Sequence, residues 1–289
     1  MKLSIIPKKS LGQNFLVNPK ILDKIVAAAE ITKVDLVLEV GPGTGNLTEK
    51  LAAKAGKVIA IEKDRRLIET LKLKFKDSNV EIIEADVLKL KIEELIENCK
   101  LKIENYKIVG NIPYYITSKF LRTVFEDWPK PKLIVLTIQK EVAQRIMASP
   151  PHSKMSVGAR PPKMNLLALS VQFFAEPKII GYISKENFRP RPKVDSALLR
   201  LLLRVRLRTN TVKLRRAQQS KEFTEKFFKI AKAGFSHKRK LLSANLSKNF
   251  GIIKEELIEI FRKIGIQPDS RAENLSLNQW IELTKYIRK

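Results

Sequence analysis

The sequence predicts an α/β fold: a mainly parallel sheet with helices on both faces, followed by a small all-helical domain. Three observations predict it. Short apolar runs alternate with helix-like stretches as far as Leu203, a glycine-rich turn joins the first clear strand to its helix, and the composition changes near Arg204. Strands that alternate with helices need crossover connections and so pair in parallel, with helices covering the sheet. A chain of 289 residues, 44% of them hydrophobic, can bury a substantial core and has length for one large and one smaller domain.

The elements follow in order. Asn18-Pro19 supplies an N-cap and a proline for the first helical position, and Ile21, Leu22, Ile25, Val26 and Ala29 then recur at helical spacing. The apolar runs Leu36–Val40, Val58–Ile61, Val80–Ile83, Ile108–Val109 and Leu133–Ile138 read as strands, with Leu47–Ala55, Asp64–Phe75 and Ser118–Glu126 as helices between them. Lys178–Ile183 and Ser196–Leu203 read as further strands that complete the sheet. After Arg204 a polar, basic stretch precedes the amphipathic series Phe223, Phe227, Ile230 and Ala231. Leu257, Ile260, Phe261 and Ile264 form another helical face ending before Gly265, and Ser276 with Gln279 forms a capping box ahead of Trp280, Leu283 and Ile287. The expected domains are residues 1–204 and 205–289. No internal repeat is present.

Lys and Arg outnumber Asp and Glu by 56 to 30, a net charge of +26, so a polyanion is the expected partner. Fourteen basic residues against only Glu222 and Glu225 fall between Arg204 and Lys248, a localised footprint for phosphate contacts that includes Arg215, Arg216, Lys238, Arg239 and Lys240. No apolar run approaches the roughly 20 residues that span a bilayer, and Leu3–Ile6 is too short for a signal segment. A cytoplasmic protein without a membrane partner is expected. Cys99, His152 and His237 cannot assemble a disulfide framework or a Cys/His zinc site, and no metal is expected.

Gly41-Pro42-Gly43-Thr44-Gly45 stands between a strand and a helix start, where missing Cβ atoms let a nucleotide-like cofactor approach the backbone. A dinucleotide fingerprint would place its third glycine one residue later, which disfavours an NAD-dependent dehydrogenase. Glu62 and Asp86 end the next two strands, placed to accept from ribose hydroxyls and an adenine amine. A glycine loop alone could be a structural turn; three such features after successive strands point to a site.

Asn111-Ile112-Pro113-Tyr114 follows the strand that ends at Gly110 and so lies at the same carboxyl edge. An adenine amine is a poor nucleophile because its lone pair is delocalised into the ring. The Asn111 side-chain carbonyl and the Ile112 backbone carbonyl can take its two N–H bonds and turn the lone pair toward a methyl donor, with Pro113 fixing the turn and Tyr114 stacking on the base. Alone, the tetrapeptide suits DNA or RNA equally. A cytosine-C5 methyltransferase would need a cysteine nucleophile, usually after proline, whereas Cys99 follows Asn98.

These residues, with Lys9–Leu16, Glu39–Gly45, Glu62-Lys63-Asp64, Ala85-Asp86-Val87, Gly110–Tyr115, Gln139–Arg145 and Phe188–Ser196, resemble the ribosomal RNA adenine dimethyltransferase family over most of the chain. Those are class I methyltransferases with a Rossmann-like sheet that use S-adenosylmethionine to dimethylate two adjacent adenines near the 3′ end of small-subunit rRNA. The resemblance implies that Asn14, Leu16, Gly41, Gly43, Glu62, Asp86 and Asn111 contact the cofactor, and that Tyr114 and Phe188 sandwich the target adenine. It also implies that the basic loop Lys8–Leu16, with Lys8 and Lys9, closes over the site. The expected partner is small-subunit rRNA in a pre-30S-type particle, met by a monomer. Asp195 favours this family over the antibiotic-resistance methyltransferases of large-subunit rRNA, which usually carry Asn there, and Gly234–Leu242 and Arg271–Ser276 also match its C-terminal domain. The chain departs from the pattern at Met155–Ala168, where Arg160-Pro161-Pro162-Lys163 reads as an exposed basic loop. An RNA-binding ribosome-assembly factor that acts by docking is the alternative from another class.

Overall fold

The computed structural model describes residues 7–8, 11–97, 106–150, 163–204 and 220–287. Among these, nine strands are present: β1 (Phe15–Leu16), β2 (Leu36–Val40), β3 (Lys57–Glu62), β4 (Val80–Glu84), β5 (Tyr106–Asn111), β6 (Leu133–Gln139), β7 (Ala175–Ile183), β8 (Phe188–Arg189) and β9 (Ser196–Leu203). The helices are α1 (Pro19–Ala28), α2 (Asn46–Lys54), α3 (Arg65–Lys74), α4 (Ile92–Glu97), α5 (Thr117–Glu126), α6 (Lys140–Ile146), α7 (Leu166–Phe174), α8 (Lys221–Gly234), α9 (Leu242–Phe250), α10 (Lys254–Lys263) and α11 (Leu277–Tyr286). None is long and apolar enough to cross a membrane. Cys99, His152, Lys9, Arg215 and Arg216 lie outside the described residues.

Seven strands form one sheet in the order β4-β3-β2-β5-β6-β9-β7. The first five pair in parallel. β9 enters in reverse between β6 and β7, because its connection from β7 is too short for a crossover. The two late runs therefore complete the sheet, but through antiparallel pairing. β2, β5 and β6 bury consecutive residues, the mark of strands covered on both faces, which is why they read as unbroken apolar runs. β1 and β8, two residues each, form a separate ribbon pairing Leu16 with Phe188.

The caps form as the sequence predicts. The Asn18 side chain accepts from Lys20 N at 3.0 Å, with Pro19 at the first helical position. Ser276 and Gln279 make both reciprocal bonds of the capping box. At the end of the sheet away from the glycine loop, Lys107 of β5 and Asp35, just before β2, form an ion pair of 2.8 Å with both side chains under 4% exposed. Asp35 Oδ2 also accepts from Thr32 N and Oγ1, and Lys107 Nζ donates to the Glu30 carbonyl.

The chain divides into two compact units, Met1–Ala143 with Ala175–Arg206, and Gln144–Phe174 with Leu207–Lys289. This differs from a single cut after residue 204: Gln144–Phe174 belongs with the helical unit. Phe173 of α7 stacks on Phe227 of α8 with centroids 4.2 Å apart, and Met164, Ala168 and Leu169 join the same core. Of the expected basic loop Arg160–Lys163 only Lys163 is among the described residues. Lys163 is exposed and paired with Glu273, while Met164 and Ala168 are buried.

Trp280 is fully buried in this core, against Gly234. A Cβ at Gly234 would stand 2.5 Å from the indole and 2.9 Å from Leu242. Gly234→Ala is expected to destabilise the helical unit by about 1–3 kcal/mol through overpacking. Urea denaturation checks this, and an unchanged midpoint would count against the packing described.

Candidate active site

The strand order reverses between β2, which leads outward to β3 and β4, and β5, which leads to β6. Open α/β sheets bind ligands at such a switch point, beyond the carboxyl ends of the strands. Val40 of β2 is in register with Gly110 of β5, so Gly41 and Asn111 emerge side by side. A cavity of about 220 Å³ opens there, lined by Asn14, Gly41, Gly43, Glu62, Asp86, Asn111, Ile112, Pro113 and Tyr114. Nine residues named from sequence thus share one cavity, together with Phe15, Lys63 and Tyr115.

Glu62 organises its cofactor side. Its Oε1 accepts from the amides of Lys63 (2.9 Å) and Asp64 (2.8 Å), and its Oε2 from Gly43 N (3.1 Å). Burial pushes its pKa up although these three donors oppose the shift. Gly43 has φ +59°, and a Cβ there would lie 2.8 Å from the Phe15 ring, so only glycine lets the loop from β1 pack this closely. Asp86 Oδ1 accepts from Leu88 N, while Oδ2 holds Lys63 Nζ at 2.9 Å. Sequence reasoning missed that Asp86 already has a cationic partner.

Glu39, two residues before the loop, is wholly buried, and neither carboxyl oxygen is hydrogen-bonded among the described residues. Burial pushes its pKa up to about 8 against the lowering effect of the Thr48 hydroxyl beside it, and the charge of Glu62 adds to the shift. Between the ordinary glutamate range and pH 8 the folded chain holds a proton that the unfolded chain has lost, so stability falls as pH rises through that window. Glu39→Gln is expected to melt close to wild type near pH 4 and progressively above it toward pH 8. A constant offset across that range would overturn the reading.

Asn111 ends β5, and its Nδ2 donates to the Asn14 carbonyl at 2.8 Å. With the amide nitrogen so engaged, Oδ1 remains as the acceptor on that side chain. Ile112 has its side chain buried and offers the cavity its backbone. Pro113 and Ile116 close a 3-10 turn over Tyr114–Ile116, and the Tyr114 hydroxyl meets Ser196 Oγ at 2.7 Å. Burial raises the Tyr114 pKa and Asp195 nearby adds to this against the Ser196 bond, keeping the ring a neutral phenol. Ser196 was quoted in a motif but given no role, because its partner lies 82 residues away.

The N-terminal loop is held down at a second point: Gln13 Nε2 donates to Asp64 Oδ2 at 2.8 Å, while Gln13 Oε1 accepts from Lys8 N at 2.7 Å. Arg66 grips the same carboxylate through Nε and a terminal nitrogen, and this bond holds Asp64 well below the usual carboxylate range. Two expected residues lie elsewhere. Leu16 is 5% exposed and borders a small adjoining cavity with Gly41 and Asn111, and Phe188 is fully buried against the core cluster that includes Leu16. In this conformation the Phe188 ring has no face open to a base, which corrects its placement in the base site. Lys8 is exposed. Lys238, Arg239 and Lys240 are exposed in the turn between α8 and α9; Lys240 N donates to the His237 carbonyl and Arg271 Nε to the Arg239 carbonyl.

Known proteins carry the same architecture. Over 277 residues the chain is 39% identical to the ribosomal RNA small subunit methyltransferase A of Dehalococcoides mccartyi, covering 96% of this chain and 87% of that one. A dimethyladenosine transferase from Plasmodium falciparum superposes with a TM-score of 0.71 at 29% identity, covering 93% of this chain and 95% of its own. The 23S rRNA methyltransferase ErmE shares the fold, with a TM-score of 0.68 at 24% identity over 94% and 98% of the two chains. The family model for ribosomal RNA adenine dimethylases matches residues 7–289. With the glycine cradle, the acids Glu62 and Asp86 and Asn111–Tyr114 at one switch point, the chain belongs to the ribosomal RNA adenine dimethylase family.

Proposed function

We propose that this chain transfers methyl groups from S-adenosylmethionine to N6 of two adjacent adenines near the 3′ end of small-subunit rRNA, on an assembling particle. The observation that carries the reading is the bond from Asn111 Nδ2 to the Asn14 carbonyl, which leaves Oδ1 as an acceptor for an amine.

The residues fit the cofactor. A Cβ at Gly41 would meet nothing nearer than the Asn111 carbonyl oxygen at 3.8 Å, so bare backbone faces the cavity there. Glu62 Oε2 accepts only one backbone amide among the described residues and keeps lone pairs for a ribose hydroxyl. Gly41, Gly43, Glu62 and Asp86 would hold the cofactor, with Asn14, Leu16 and Asn111 completing its contacts. When bound, it supplies a methyl group activated by an adjacent sulfonium.

The chain's own part is positioning. Asn111 Oδ1 and the Ile112 carbonyl accept the two amine hydrogens, drawing the nitrogen lone pair out of conjugation and aiming it across the cavity. The Tyr114 ring, fixed through Ser196, lies against the base. Methylation makes the amine cationic and acidic, so its proton leaves to water and no strong base is needed; the same carbonyl oxygens stabilise the developing charge. The unit of Met1–Ala143 with Ala175–Arg206 carries this chemistry. Lys8, Lys9 and the basic side chains of residues 205–289, including Arg215, Arg216 and Lys238–Lys240, would meet phosphates, so binding weakens steeply with salt. Asp195 anchors this edge, its Oδ1 accepting from Lys185 N and its carbonyl from Lys140 N, and its identity favours a small-subunit substrate.

The test incubates the protein with labelled S-adenosylmethionine and unmodified small subunits, then digests the RNA. Labelled dimethyladenosine is the expected product. Its absence, with wild type and Asn111→Ala equally supporting subunit maturation, would identify a docking factor instead.

A further inference from the structure

We infer that Tyr115 is the stacking platform for the nucleobase adjacent to the adenine being methylated, so that the chain grips two consecutive bases. One base lies in the cavity against Tyr114 and its neighbour lies at the mouth against Tyr115. The inference rests on the proposed reaction and extends it to a second subsite.

Tyr114, Tyr115 and Ile116 form one 3-10 turn, yet they meet very different surroundings. Tyr114 is half-buried and tied to Ser196, and Ile116 is 8% exposed. Tyr115 lines the same cavity but is 63% exposed, one of the most exposed large apolar side chains among the described residues. The turn therefore leaves a large ring in water at the entrance to a base site. An unburied aromatic is unfavourable for the free protein and suits a surface that meets a flat apolar partner.

The ring is also backed. A Cβ on Gly12, whose φ is +61°, would stand 3.2 Å from the ring's Cδ1 and Cε1 and 3.4 Å from Pro113. The N-terminal loop backbone thus lies close along one side of Tyr115, and that loop is itself fastened through Gln13 to Asp64 and through Asn14 to Asn111. A supported ring with an open side is the form in which proteins stack single-stranded bases.

Base chemistry supplies the reason for such a shelf. Drawing one adenine out of its stack strips a face from its neighbour, and that unstacking opposes entry of the target. An aromatic ring at the cavity mouth covers the bared face at the moment the target enters, without reading sequence, because every base presents a π-face. For a substrate with two adjacent adenines, the neighbour is itself a purine with a large stacking area.

The experiment compares wild type, Tyr115→Ala and Tyr115→Phe for three quantities: KM for unmodified small subunits, equilibrium affinity for those subunits without cofactor, and cofactor affinity without RNA. Tyr115→Ala is expected to weaken both RNA quantities by about 10-fold, within the range for loss of one base–aromatic stack. Its cofactor affinity stays within about twofold of wild type, and Tyr115→Phe matches wild type because the ring, not the hydroxyl, does the stacking. Replacing the neighbouring adenine by uridine should cost wild type more than it costs Tyr115→Ala. A wild-type RNA KM for Tyr115→Ala, or weakened cofactor binding in the absence of RNA, would overturn the inference. No labelled dimethyladenosine from the wild type would instead sink the proposed reaction whatever Tyr115 does, so the two failures are distinguishable.

Discussion

Asn111→Ala is expected to lower turnover on small-subunit RNA by roughly 10²–10³-fold, the scale on which loss of one preorganised polar group at a reacting centre is felt. Two bonds disappear together: the acceptor for the adenine amine and the donor that ties β5 to the Asn14 carbonyl. The RNA KM should hardly move, since phosphate and stacking contacts are untouched. Asn111→Asp separates the two roles. It keeps an oxygen for the amine but sets its other oxygen against the Asn14 carbonyl, where two acceptors repel, so its turnover should fall between alanine and wild type. Single-turnover assays at saturating cofactor measure this, and alanine at the wild-type rate would remove Asn111 from the chemistry.

Lys107→Met should be the most destabilising of the substitutions considered, at about 3–5 kcal/mol, because it leaves Asp35 charged and buried without its cation. Burial works to raise the Asp35 pKa, but the Lys107 and Thr32 bonds outweigh it and hold the carboxylate below its ordinary value. The stabilisation is therefore present above the usual carboxylate range and is lost as pH falls through the folded-state pKa. Below about pH 4, protonation relieves the stranded charge, and the gap between variant and wild type should narrow. Adding Asp35→Leu should restore much of the loss at neutral pH, since a buried pair often contributes little over apolar packing. Urea titrations of the two single variants and the double variant across pH test this; equal stability of Lys107→Met and wild type at pH 7 would contradict it.

What could be read from sequence was whatever repeats locally. β2, β5 and β6 announce themselves as apolar runs because both faces are covered, and Asn18, Ser276 and Gln279 mark helix starts because a cap bonds within three residues. Gly41, Glu62, Asp86 and Asn111 could be gathered into one site because parallel strands deliver their carboxyl ends to one edge. The rest depends on partners far apart in the chain. β1 and β8 are too short to show a period, so nothing local reveals that Leu16 pairs with Phe188 or that the phenylalanine turns inward. The Gln13–Asp64 and Tyr114–Ser196 bonds join residues 51 and 82 positions apart. Gln144–Phe174 looked continuous with the sheet region because its apolar residues carry no label for the core they enter.

The acceptor that orients Asn111 is a main-chain oxygen of residue 14. No side-chain replacement at that position deletes it, so a survey by alanine substitution would pass over one of the contacts that sets the amide's orientation. Only a change in the path of the segment would expose it, such as one residue inserted or removed between Gln13 and Leu16, and such a change would disable the amide while every catalytic side chain stayed in the sequence.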